Sequence, residues 1–137
     1  MELAVATWEP RLRSLLRMVA GFTFSLHGFQ KLFGIFGGMG GQGRSADLLS
    51  LMGFAGALEA FGGVLILAGL FTRPVAFLLS GQMAVAYFMV HASKGFWPIQ
   101  NGGELAALYS FLFLWMAGAG AGPWSVDHVL GKKTAAG

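Results

Sequence analysis

The sequence predicts an all-α integral membrane fold, an antiparallel four-helix bundle with both termini in the cytoplasm. Three observations predict it. The first is composition: of 137 residues, 55% are hydrophobic and 11% are charged, against roughly a quarter charged in soluble domains. The second is that the apolar residues gather in four runs, at about 12–36, 48–71, 74–93 and 104–121. Each lies near the roughly 20 residues that cross about 30 Å of hydrocarbon. The third is that short connections join these runs, which favours up-down neighbours. None of the runs alternates, so strands are not expected. One four-span domain, 1–137, accounts for the whole length.

The elements follow in order. Met1 to Pro10 reads as a polar-aromatic leader, with Trp8 suited to an interface, followed by Arg11, Arg13 and Arg17. Positive residues before an apolar run resemble a secretory signal. The run is too long for that, lacks a small-residue cleavage site and contains His27 and Lys31, so it reads as a retained first span. Gly37 to Asp47 (GGMGGQGRSAD) is a glycine-rich connector without phosphate-loop spacing. The second run carries one charge, Glu59. Thr72-Arg73-Pro74 reads as a tight turn, with Pro74 at the first position of the third helix. Lys94 to Gly103 is a second loop, with Phe96 and Trp97 as interfacial anchors. The fourth run ends at Gly122-Pro123-Trp124, and Lys132-Lys133 lie in a polar tail.

Orientation follows from the basic residues. One side holds Arg11, Arg13, Arg17, Arg73, Lys132 and Lys133; the other holds Lys31, Arg44 and Lys94. The excess on the first side puts both termini in the cytoplasm and both long loops outside, toward periplasm or cell exterior. The net charge of +3 is therefore a topology signal. The basic residues are scattered, so nucleic acid is not an expected partner. There is no cysteine, which removes thiolate, disulfide and Cys-ligated cluster chemistry from this chain.

Within the spans, ionisable groups are costly and point by default to function. His27, Gln30 and Lys31 fall within five residues of the first run. At a rise of 1.5 Å per residue, His27 lies roughly 14 Å and Glu59 roughly 16 Å below the outer surface. A His27–Glu59 pair between the first two helices is therefore expected, with both as catalytic candidates. Lys31 is one turn above His27, and Gln30 is its neighbour. Tyr87 and His91, one turn apart, lie near the outer end of the third helix; Trp97, Asn101 and Glu104 lie at or before the outer start of the fourth. Gln30, Lys31, Tyr87, His91, Trp97, Asn101 and Glu104 are the ligand-binding candidates. The inner half of the spans holds almost nothing ionisable, so the set predicts an outer-side polar pocket.

Several of these residues also have plainer readings. Lys31 can snorkel outward and complement a helix C-terminus. Asn101-Gly-Gly-Glu104 has capping-box spacing. Tyr87 can pack with its hydroxyl at an interface. Arg17 and Arg73 read as topology anchors.

Chemically, two histidines and two glutamates suit Zn, Fe, Mn or Cu, although the spacing is not a metal signature. The same groups suit a quinone head group. Lys or His would donate to one carbonyl, Tyr87 or Glu59 to the other, and a carboxylate–His pair could move protons. Phe22, Phe24, Phe29, Phe33, Phe88 and Trp97 would supply apolar walls.

Four motifs, in this order, carry a resemblance. They are R-x-x-x-G-x-x-F-x-x-H-G-x-Q-K (Arg17 to Lys31), L-E-x-x-G-G (Leu58 to Gly63), G-L-x-T-R-x-x-A (Gly69 to Ala76) and F-W-P-x-x-N-G-G-E (Phe96 to Glu104). The chain resembles the DoxX family from about Arg17 to Asp127. These are small four-helix bacterial membrane proteins similar to the membrane subunit of thiosulfate:quinone oxidoreductase. The resemblance implies a cytoplasmic-membrane protein linked to redox or quinone chemistry, with a membrane or periplasmic redox partner. It implies no agreed catalytic mechanism, so activity as a quinone-linked oxidoreductase stays an open expectation. Two other readings stand beside it: a non-enzymatic scaffold or assembly subunit of a membrane redox complex, including a homo-oligomer, and a metal-binding membrane protein.

Overall fold

The computed structural model describes residues 2–135, with side chains described for residues 5–131. Every regular element in this range is helical. They are α1 (Glu2–Phe33), α2 (Leu51–Ala68), α3 (Thr72–Ala86), α4 (Pro98–Asn101), α5 (Glu104–Ala119) and α6 (Val126–Ala135). A π turn (Tyr87–His91) and a 3-10 turn (Ala92–Lys94) continue α3. Two helical stretches, Leu51–Ala68 and Thr72–Lys94, are long and apolar enough to cross a membrane by length and composition. α5 is apolar and shorter, at 16 residues.

Local chemistry explains the ends. α1 begins at Glu2 rather than near Leu12, and Pro10 sits inside it. Proline forfeits one backbone bond there, while Ser14 Oγ donates to Pro10 O at 3.0 Å. Glu9 and Arg13 pair across one turn at 3.6 Å. The leader is thus helical, and α1 runs for 32 residues, about 48 Å at 1.5 Å each. It stops where Gly34 takes φ +67°. Ser50 caps α2 by accepting from Gly53 N at 3.0 Å. Gly69, at φ +70°, closes it, with Gly69 N and Leu70 N both donating to Leu65 O.

α3 starts at Thr72, two residues before the expected Pro74 start. The cause is distant in sequence. Asp127 Oδ1 accepts from Phe71 N at 2.8 Å, and Oδ2 accepts from Thr72 N at 2.9 Å. A carboxylate satisfies the orphan amides of a helix start. The polar tail is also helical, as α6; Lys132 and Lys133 lie outside the residues whose side chains are described.

The chain divides into two compact units, Met1–Thr72 with Ala121–Gly137, and Arg73–Gly120. The first is built on α1 and α2. Their contacts run in opposite directions, from Gly28 against Gly56 and Ala60 to Gly21 against Gly63 and Leu67. The pair is therefore an antiparallel hairpin, and glycine sets its spacing. A Cβ at Gly28 would fall 2.6 Å from Ala60 Cα, and one at Gly63 would fall 2.6 Å from Ser25 N. Only glycine lets backbones approach so closely.

Arg17 closes this unit. It is fully buried. Its Nη1 donates to Ile66 O and Leu67 O at 2.5 Å each, Nε to Ala121 O at 2.9 Å, and Nη2 to Trp124 O at 2.5 Å. The guanidinium thus satisfies the C-terminal carbonyls of α2 and ties the segment after α5 to α1. The topology-anchor reading of Arg17 is overturned, because the side chain is turned into the protein and saturated with carbonyls. It also breaks the expected asymmetry, since an ionised group lies buried toward the end of the hairpin away from Lys31.

The second unit holds α3, its π and 3-10 continuation, α4 and α5. Arg73 Nη1 donates to Ala117 O at 3.0 Å and to Gly118 O, so it too serves a helix C-terminus rather than only topology. Ser80 and Ser110 exchange bonds, each hydroxyl donating to the other's carbonyl, at 2.8 and 3.1 Å. Tyr87 packs beside Gly103. The order of these contacts makes α3 and α5 antiparallel. Each unit is thus a hairpin with an arginine at one end and polar side chains at the other.

Candidate functional site

In the first unit the site grows from α1. Gly28 brings α1 against α2, so Lys31, almost one turn further on, reaches the level of Glu59. Lys31 Nζ donates to Glu59 Oε1 at 2.5 Å. The Glu59 side chain is 3% exposed and that of Lys31 is 25% exposed. One end of the pair is therefore dry and the other reaches the surface. The ammonium keeps two further donors. The outward-snorkelling reading of Lys31 fails, because its head turns in to a buried carboxylate. A hydrogen-bonded pair with His27 is the sequence expectation for Glu59; its salt bridge is made by Lys31. His27 is half-buried, one turn below Lys31 on α1.

The connector after α1 folds back on this end. Gln30 Nε2 donates to Phe36 O at 3.1 Å, and Lys31 O accepts from Ala46 N at 2.6 Å. Met39 N donates to Arg44 O at 2.9 Å, and Gly43 N to Gly37 O at 2.7 Å. Gln30 therefore has a structural task, holding the loop to its own helix. The connector is held by hydrogen bonds of its own backbone. Of the aromatic walls expected here, Phe24 is buried, Phe29 stacks on Phe33 at 6.2 Å, and Phe22 and Phe33 are exposed.

The remaining candidates lie in the second unit. Asn101 is buried, and its amide is fully engaged. Nδ2 donates to Tyr87 Oη at 3.3 Å and to Gly95 O at 2.9 Å; Oδ1 accepts from Gly103 N at 2.7 Å. His91 Nδ1 lies 3.1 Å from Asn101 O. The capping-box reading is corrected here: Gly103 holds the N-cap of α5, Glu104 is its first residue and exposed, and Asn101 belongs to α4. Asn101 instead holds the turn between Gly95 and Gly103. Trp97 is exposed and meets Phe96 edge-on at 5.0 Å.

Among the described residues no three His, Cys, Asp or Glu side chains gather as a metal set. Of the two histidines and two glutamates weighed as ligands, His27 and Glu59 lie in the first unit and His91 and Glu104 in the second. Sequence reasoning missed the Arg17 carbonyl cluster and the Asp127 cap. A signal existed for the first, since Arg17 opens the first motif. None existed for the second, whose partners are 55 and 56 residues away.

A hairpin joined through glycine, a salt bridge with a buried carboxylate and two apolar helical stretches of spanning length define an all-helical protein with membrane-type helices. The DoxX family model matches residues 12–92, and the chain belongs to that family. It is 45% identical over 130 residues to an uncharacterized protein of Haemophilus influenzae, covering 92% of this chain and 96% of that one. No solved structure matches.

Proposed function

We propose that this chain is a multi-pass protein of the cytoplasmic membrane, with α1, α2, α3 and α5 as spans and both termini inside. Its role is redox-associated, and the Lys31–Glu59 site with His27 binds a quinone-type head group. Family membership and the apolar helices support the setting. The observation that carries the ligand is the Lys31–Glu59 pair. A buried carboxylate held at 2.5 Å by a part-exposed ammonium is costly as mere structure. It is useful where a ligand carbonyl needs a cationic donor and a proton must be held nearby.

Lys31 Nζ would donate to a ring carbonyl with its remaining protons. Glu59 would hold or release a proton, and His27 would present its imidazole one turn deeper. A bound quinone supplies two-electron, two-proton chemistry. The chain carries no thiol of its own, and the electrons would come from a membrane or periplasmic redox partner.

The test is binding of short-chain ubiquinone and menaquinone analogues to protein in lipid nanodiscs, followed by tryptophan fluorescence. Wild type should bind. Glu59→Gln and Lys31→Met should weaken binding at least about tenfold, the loss of one charge-assisted hydrogen bond. A wild type that binds neither quinone, or variants that bind like wild type, would overturn the reading.

A further inference from the structure

We propose that Tyr87 and His91 form a second binding site, independent of Lys31–Glu59, for an aromatic ring bearing a hydroxyl donor. The reasoning begins with the backbone. α3 does not continue as an α-helix; at Tyr87–His91 it widens into a single π turn. Such turns are rare and are frequent at functional sites. Asn101 braces this one. It is 3% exposed, and its amide groups are bonded to Tyr87, Gly95 and Gly103. Gly103 leaves room for the Tyr87 ring, because a Cβ there would fall 2.7 Å from Tyr87 Cε2. A buried amide, a glycine and an unusual turn thus combine to fix two side chains one turn apart.

The chemistry of each follows from its bonds. The partner of His91 Nδ1 is the carbonyl of Asn101, at 3.1 Å. A carbonyl only accepts, so Nδ1 carries the proton. In the neutral ring Nε2 is then the acceptor. The Tyr87 hydroxyl accepts from Asn101 Nδ2 at 3.3 Å and points its own proton at Phe96 O at 3.5 Å. That distance is long for an O–H donor, so the proton is weakly held and can be given to a ligand oxygen. The two rings lie 6.4 Å apart, centroid to centroid. Tyr87 offers a donor and His91 an acceptor.

Phe88 borders the pair, and Phe96, whose carbonyl faces the Tyr87 hydroxyl, carries a ring contact with Trp97. Phe88 meets Tyr87 edge-on at 5.5 Å, and Phe96 and Trp97 meet edge-on at 5.0 Å. All three are more than half exposed, at 71%, 80% and 61%. An aromatic ligand can lie against such rings, with its hydroxyl oxygen taking the Tyr87 proton and its own proton going to His91 Nε2. The binding is non-covalent, and no electron moves.

The experiment compares 4-propylphenol with 4-propylanisole, which has the same ring and oxygen but no hydroxyl proton. Binding to the full chain in nanodiscs is measured by calorimetry. Wild type should prefer the phenol by about three- to tenfold, the effect of one hydrogen bond. His91→Phe should erase the preference, and His91→Gln, which keeps an acceptor, should restore part of it. Tyr87→Phe should weaken both ligands alike and leave their ratio unchanged. Glu59→Gln should leave the ratio unchanged too, which separates this site from the quinone reading. Equal binding of the two probes by wild type, or a preference that survives His91→Phe, overturns the proposal. Melting temperatures confirm that each variant is folded; if His91→Phe is not, the His91→Gln ratio against wild type and Tyr87→Phe decides.

Discussion

The guanidinium of Arg17 lies 2.5 Å from the carbonyl oxygen of Ile66, a residue 49 positions away at the end of α2. That carbonyl and Leu67 O belong to the last turn, where Gly69 N also donates to Ile66 O at 3.0 Å. Ala121 O and Trp124 O complete the shell. One side chain thereby joins α1, the end of α2 and the segment leading to α6.

Arg17→Ala should remove a donor from four carbonyls at once, of which Ile66 O keeps Gly69 N. The expected loss is at least about 3 kcal/mol, since each buried unsatisfied group costs about 1–3 kcal/mol. Arg17→Lys should recover only part of it, because an ammonium cannot reproduce the planar fork. Thermal unfolding in mild detergent, followed by circular dichroism, reads both. A lysine variant as stable as wild type would show that charge alone suffices.

Asp127→Ala should cost about 1 kcal/mol, the usual value of a helix cap. Asp127→Asn keeps one acceptor and should cost less. Hydrogen exchange at the amides of Phe71 and Thr72 gives a local readout, and both should lose protection in the alanine variant. Unchanged protection would mean that solvent or backbone serves these donors equally well.

Glycine spacing is tested by Gly28→Ala. Its Cβ would meet backbone rather than a mobile side-chain end, so the helices must separate. Overpacking of this kind costs about 1–3 kcal/mol. Gly81→Ala is the control. Nothing lies within 4 Å of its added Cβ, and Gly81 is within α3, so alanine should be neutral or stabilise by up to about 1 kcal/mol. Equal melting temperatures for the two variants would contradict the close contact at Gly28.

The helices were legible because each apolar run is long and lacks alternation. The level of Glu59 was legible because depth follows from a constant rise. Its salt bridge with Lys31 was not foreseen, because a depth estimate good to several residues does not single out Lys31 from its neighbours on α1. The starts of α1 and α3 were missed for different reasons. Pro10 closes the polar leader in the sequence, but Ser14 and the Glu9–Arg13 pair support a helical turn there. The start of α3 depends on Asp127, and no local pattern announces a cap from the far end of the chain. Arg17 was misread because a basic residue near the end of an apolar run usually faces headgroups. Its burial depends on the carbonyls that α2 and the segment after α5 bring to it.

Lys31 and Glu59 should behave as a unit in stability. Lys31→Met leaves Glu59 buried without its cation and should cost about 3 kcal/mol. Glu59→Leu leaves an ammonium that is part exposed and can turn to the surface, so its cost should be smaller. The double variant should be more stable than the sum of the single losses implies, with a coupling above about 1 kcal/mol. Additive losses would show that the pair contributes nothing jointly.

Ser80 and Ser110 provide the contrasting case. They too face each other across a hairpin, but the two bonds use different atoms. Ser80 Oγ donates to Ser110 O at 2.8 Å, and Ser110 Oγ donates to Ser80 O at 3.1 Å. Both carbonyls belong to helix interiors, where the backbone amide four residues on already serves them. Removing one hydroxyl therefore strands no buried carbonyl and leaves the other bond intact. Ser80→Ala and Ser110→Ala should each cost about 0.6 kcal/mol, the typical value of an interhelical bond in a membrane protein. The double variant should lose about the sum, because alanine is smaller than serine and the helices need not separate. Unfolding of all four proteins in the same detergent gives the cycle. A coupling near that of Lys31–Glu59 would show that the two hydroxyls hold the α3–α5 contact as one element, and the contrast between a buried charge pair and a neutral one would fail.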